Sequence, residues 1–98
     1  MQIQVITGDA GTGKTTKLRL IEAQQLAEGK QAGIIHADAY SHQGLLGIME
    51  VRLERGERTL LVDDCSSKQI EEVLQWQEEA AGNEQLKGLV IHLVRQAG

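Results

Sequence analysis

Eight consecutive residues, GDAGTGKT from Gly8 to Thr15, set glycines, a lysine and a hydroxyl at the spacing G-x-x-x-x-G-K-[ST]. That spacing serves the binding of a phosphate chain. Glycines at positions 8, 11 and 13 let the backbone turn inward so that successive amides face one anion, and a helix starting there adds free N–H groups and its positive dipole end. Lys14 is spaced to reach the β- and γ-phosphates, and the Thr15 hydroxyl to take Mg²⁺. Gly8, Asp9, Ala10, Gly11, Thr12, Gly13, Lys14, Thr15 and Thr16 are therefore expected to line a nucleotide-phosphate loop. The plainer alternative, a glycine-rich turn with an exposed lysine, leaves the Lys-Thr pair unexplained.

A second constellation closes the apolar run TLLVDD, where Asp63 and Asp64 follow four residues of strand character. Ligands of an open α/β sheet collect at the C-terminal ends of its strands. Asp63 is expected to hold Mg²⁺ through water, and Asp64 to polarise a water that attacks the γ-phosphate. Two aspartates can also simply open the turn to the next helix, with Ser66 or Ser67 as its cap.

The elements that must position these groups are legible as four short apolar runs: Ile3–Thr7, Ala32–Ala37, Thr59–Asp63 and Gly88–Val94. Between them lie stretches of helical length, 13–28, 41–55 and 67–80. Their apolar sets are Leu18, Ile21 and Leu26; Leu45, Ile48, Met49 and Leu53; and Ile70, Val73 and Leu74, each read as one face. Gly29, Gly56 and Gly82 follow the helical stretches, and Ser41 and Ser66 or Ser67 precede two of them. Alternation of strand and helix with short connections implies a parallel sheet with helices on its faces.

Composition bounds what such a domain can be. The 98 residues, 41% hydrophobic, fit one domain spanning residues 1–98, with a core of Leu, Ile, Val and Ala because Phe is absent and Trp76 and Tyr40 are the sole aromatics. The stability margin of so short a chain is expected to be modest. A net charge of -4 without a basic cluster argues against a protein that binds DNA or RNA unaided; nucleic acid would require a partner. One cysteine, Cys65, excludes an intrachain disulfide and a cysteine-rich zinc site and suits a reducing, cytoplasmic setting. Nothing approaches the about 20 apolar residues of a membrane span, and the start MQIQVITGDAG has no leader character, so a soluble, untargeted protein is expected. His36 and His92 lie in predicted strands, where a hydrogen-bonded interior role is expected. His42 lies outside them, and no zinc spacing joins the three. Cys65 reads as a small buried residue, Trp76 as packing, Tyr40 as a residue able to stack on a base, and Glu71, Glu72, Glu78 and Glu79 as a solvated helix face.

GDAGTGKTT resembles the first motif of superfamily 1 helicases and AAA-type ATPases, and TLLVDD resembles their second. The chain thus looks like a P-loop NTPase of this RecA-like division in a minimal single-domain form. The resemblance implies an α/β, three-layer P-loop NTPase fold with a small four-stranded parallel sheet flanked by helices, and ATP or another NTP with Mg²⁺ as ligands. It also implies a polar sensor after the next strand, where Arg95 and Gln96 stand; Arg95 would sense the γ-phosphate. In that division the fourth strand lies between the first and the third. The first strand is then an edge, which suits Gln2 and Gln4 alternating with Ile3 and Val5. An open edge recruits other chains, so a homo-oligomer or a larger protein partner is expected, one able to supply an arginine to the γ-phosphate. Asp64 stands where the division usually has Glu, one methylene longer, and this implies weak hydrolysis. The length leaves no room for the second core domain of a helicase or the lid of an AAA protein.

A different resemblance is carried by K-T-T-x-L with Gly29 and Lys30 before a strand, similar to the thymidine kinases, and by HADAY from His36 to Tyr40, similar to the D-x-x-Y segment of uridine-type kinases. It implies that Asp38 faces an acceptor hydroxyl, although a lone Cys65 cannot build the zinc lasso of thymidine kinases. The sequence therefore leaves three readings: a weakly hydrolysing Mg-ATP-binding domain with Lys14, Asp64 and Arg95 as its catalytic groups and Thr15 and Asp63 on the metal, a small-molecule or nucleoside-type kinase, and a non-catalytic nucleotide-responsive subunit of a larger complex.

Overall fold

A computed structural model describes residues 1–8 and 13–96. Strands β1 (Gln2–Ile6), β2 (Ile34–His36), β3 (Thr59–Cys65) and β4 (Val90–Arg95) alternate with helices α1 (Lys14–Ala27), α2 (His42–Glu54) and α3 (Ser67–Glu79). The fold is α/β, and its one sheet is all-parallel in the order β1-β4-β3-β2. β1 is an edge strand, as its alternating glutamines suggest. β4 is central because Ile91, Leu93 and Val94 can all be buried, on both faces of the strand.

Alternation along the strands sends successive side chains to opposite faces. Leu60 and Val62 of β3, with Ile91 and Leu93 of β4, meet Leu45 and Met49 of α2 and Ile70 and Val73 of α3 in the larger core cluster. Leu61 and Val94 point the other way and meet Leu18 of α1, with Ile6, Ile21 and Ile34 around them. One helix therefore covers one face of the sheet and two cover the other.

Two expected core residues are corrected. Leu26 is 54% exposed and Leu74 is 38% exposed. Leu26 comes five residues after Ile21, which is no helical repeat, and Leu74 sits one step of about 100° around α3 from the buried Val73. Every strand also differs from its expected limits by one or two residues, two of them with a visible cause. β2 ends at His36, where Ala37–Ala39 tighten into a 3-10 turn, and β3 runs past Asp63 to Cys65 through a register shift.

The helix starts divide into two kinds. Ser41 accepts the Gly44 amide at the head of α2. Ser66 accepts the Gln69 amide while Gln69 Oε1 accepts the Ser66 amide, a reciprocal capping box at the head of α3. α1 starts differently: Gly13, in the left-handed region at φ 81, precedes it, and among the described residues no side chain caps it. A Cβ at Gly13 would meet nothing within 4 Å, so the backbone angle and not crowding calls for glycine there.

Candidate functional site

The end of β1, the start of α1 and the ends of β3 and β4 lie together at the C-terminal edge of the sheet. Lys14, the first residue of α1, donates its Nζ to the Gly8 carbonyl and, at 3.1 Å, to the Arg95 carbonyl at the end of β4. Its ammonium thus spans the mouth between the first and the central strand. Thr15 donates its hydroxyl to Asp63 Oδ2 at 3.2 Å, joining α1 to β3 across 48 positions of sequence. Asp9, Ala10, Gly11 and Thr12 lie outside the described residues; Gly8 and Gly13 flank them, and Thr16 is exposed on the first turn of α1.

β3 separates its two terminal carboxylates. Asp63 stays in register with His36 of β2, on the α1 side, and its Oδ1 accepts the Asp64 amide at 2.9 Å. Asp64 then takes φ 62, the one left-handed residue other than glycine among the described residues. This turn, with the register shift between Val62 and Cys65, returns Cys65 to the face that Val62 occupies and re-aims the strand end. Asp64 consequently lines a shallow polar depression of about 280 Å³ with Asp38, Tyr40, His42, Gln69 and Gln96. Gln69 forms its frame: nearly buried, its Nε2 donates to the carbonyls of Ala37 (2.8 Å) and Tyr40 (2.9 Å). The one local sequence signal for Gln69 is Ser-x-x-Gln from Ser66, the signature of a capping box.

Of the residues expected to carry chemistry, Lys14, Thr15 and Asp63 are brought together with the Arg95 backbone. Asp64 joins Asp38 in the neighbouring depression. Arg95 itself is exposed, and Gln96 beside it donates its amide to the Cys65 carbonyl at 2.7 Å, fixing the end of β4 to the end of β3.

Cys65 is fully buried, and burial, reinforced by the carboxylates of Asp63 and Asp64, pushes its thiol up from 9.0 to about 12. It is a packing residue, not a nucleophile. In the native protein Cys65 should resist thiol-directed alkylation at neutral pH and react at full rate once denaturant is added. The sign of its pH dependence follows: below about pH 9.0 both folded and unfolded thiols stay protonated, and between 9.0 and 12 only the unfolded one ionises, so stability falls as pH rises through that window. Denaturant midpoints measured across it check this.

His92 corrects an expectation. It lies in the sheet facing Gln4 and Leu61, and its buried Nδ1 finds no hydrogen-bond partner among the described residues; burial also lowers its pKa. His36, by contrast, is exposed at the strand end, and Tyr40 is 41% exposed. Trp76 packs against the larger core cluster, and Glu71, Glu78 and Glu79 are exposed.

Among the described residues no group of three or more His, Cys, Asp or Glu side chains could hold a metal ion, and no helix is long and apolar enough to cross a membrane. Comparison of the chain with protein-family models, with curated proteins and with solved structures finds no match. The class that the coordinates define is an α/β domain with a four-stranded all-parallel sheet and three helices.

Proposed function

We propose that this chain is a P-loop NTPase domain that binds Mg-ATP, or another nucleoside triphosphate, and hydrolyses it weakly in a manner that depends on association. The observation that carries the reading is the Thr15–Asp63 contact, made by the two motifs that the spacing singled out, beside the Lys14 ammonium. A hydroxyl and a carboxylate are hard oxygen donors suited to Mg²⁺, which keeps most of its shell as water and phosphate oxygens and so needs only one or two ligands from protein. When bound, the ion neutralises phosphate charge. Lys14 and the loop amides bind the phosphates, Asp64 orients water, and Arg95 senses the γ-phosphate. The start of α1 also supports this reading: among the described residues no side chain caps it, where α2 and α3 use serines, and free amides at a helix start suit an anion.

Thermal unfolding with a panel of nucleotides tests it. At a hundred times the dissociation constant, Mg-ATP should raise the stability by about 2.7 kcal/mol, which for a domain of this size is on the order of 10 °C. Asp63→Asn should remove the difference between Mg²⁺ and a chelator. Equal stabilisation of the native sequence with and without the ion would sink the metal assignment.

One observation favours a second reading, phosphoryl transfer to a small acceptor. Asp64 and Asp38 face one depression at the ends of β3 and β4, where an acceptor hydroxyl could lose its proton to Asp38. Phosphate release without any acceptor supports hydrolysis; ATP consumed only when a nucleoside or similar alcohol is added supports transfer.

A further inference from the structure

Two surfaces of this chain carry matching chemistry that they cannot satisfy within one molecule. The first is the outer face of α1. Leu20 is 66% exposed and Leu26 54% exposed, the two most exposed large apolar residues described, and Ala23 lies between them. Lys17 and Arg19 stand beside this strip, both exposed and without an ion-pair partner among the described residues. The second surface is a groove of about 510 Å³ between the C-terminal halves of α2 and α3. Leu53, Trp76, Ala80 and Leu86 give it an apolar lining, and Glu50 and Glu54, one turn apart on α2, give it an acidic rim. Neither glutamate has an ion-pair partner among the described residues, and Arg58 at the groove is committed to the Gln85 carbonyl at 2.7 Å.

We infer that the groove takes the outer face of α1 from a second copy of this chain, Leu20 and Leu26 entering beside Trp76 while Lys17 and Arg19 meet Glu50 and Glu54. α1 lies on one face of the sheet and the groove on the other, so the two surfaces of one molecule cannot meet each other. The contact is therefore heterologous, head to tail, and each copy keeps one free donor face and one free groove for the next. Charge complementarity orients it, and a half-buried tryptophan within an apolar pocket is the kind of residue that anchors such contacts. This inference does not depend on nucleotide binding.

Reciprocal charge reversal tests it. One variant carries Lys17→Glu and Arg19→Glu; the other carries Glu50→Lys and Glu54→Lys. All four positions are exposed or at a groove rim, so both variants should fold. Sedimentation of the native sequence over a concentration series should show assembly, with Trp76 emission shifting to shorter wavelength as it proceeds. Each variant alone should associate at least about tenfold more weakly, because like charges then oppose each other. Mixing the two should restore assembly, since each then offers the other an oppositely charged surface. A native chain that stays monomeric at millimolar concentration overturns the inference, as does assembly indifferent to both variants or variants that fail to rescue each other on mixing.

Discussion

Replacing Lys14 with alanine is expected to lower the affinity for Mg-ATP by about a hundredfold or more while leaving the fold intact. The Lys14 ammonium bonds only to the carbonyls of Gly8 and Arg95 among the described residues, at a surface where water can replace it. Its loss therefore costs the folded state little. In the complex the same ammonium would meet phosphate oxygens, and removing such charge-assisted bonds costs about 3 kcal/mol, which is roughly two orders of magnitude in affinity. Calorimetric titration at fixed Mg²⁺, with circular dichroism as the check on folding, measures both halves of the prediction. An affinity that survives the substitution in a folded protein would remove the main support for the nucleotide reading.

Gln69→Leu should produce the largest loss of stability of any substitution near the depression. Gln69 is 5% exposed, and its side chain makes three bonds: it accepts the Ser66 amide and donates to the carbonyls of Ala37 and Tyr40. Leucine fills a similar volume but leaves the Ser66 amide and the Tyr40 carbonyl without these partners and the Ala37 carbonyl with the Tyr40 amide alone, in a place where water enters with difficulty. An unsatisfied buried polar group costs about 1–3 kcal/mol, and allowing for partial relaxation the sum is about 3 kcal/mol. For a domain of this size that lowers the unfolding temperature by on the order of 10–20 °C. Thermal melts followed by circular dichroism decide it. An unchanged midpoint would mean that water takes over these bonds and that Gln69 frames nothing.

Much of the fold was legible because its signals are local. The apolar runs, the glycines after each helix and the serines before α2 and α3 are short-range features, and the helices fall within a residue or so of where they were expected. The strand order is not a local signal: a helicase-type order with the first strand at an edge and a kinase-type order with it inside the sheet both fit the sequence, and only the glutamines of β1 and the two-sided apolar character of β4 lean toward the order observed. What the sequence could not display was the fine direction of side chains. Leu26 and Leu74 are apolar in type but 54% and 38% exposed, because residue type alone does not report how far a position lies from the middle of the buried face. Asp63 and Asp64 are neighbours in sequence and were read as parts of one site. A single left-handed residue in β3 sends one toward Thr15 and the other toward Asp38, and nothing in the letters DD announces that turn. The hydrogen bonds of Gln69 to Ala37 and Tyr40 were invisible for a related reason: they join segments 32 and 29 positions apart.

The placing of β4 governs how this protein can be made. Among the described residues β1 pairs with no strand but β4, Gln2 lying against Val90, and β3 needs β4 on one side as β2 holds the other. While a ribosome is still threading out the residues before Val90, the first strand has nothing to bond to, and the β2–β3 pair presents an unprotected flank. Native pairing of β1 must wait for the final strand to emerge and slide into the gap, a long-range closure of the kind that slows folding and exposes newly made chains to clumping. A stalled or prematurely terminated translation product ending ahead of Val90 should consequently be a substrate for chaperones and proteases rather than a smaller working domain.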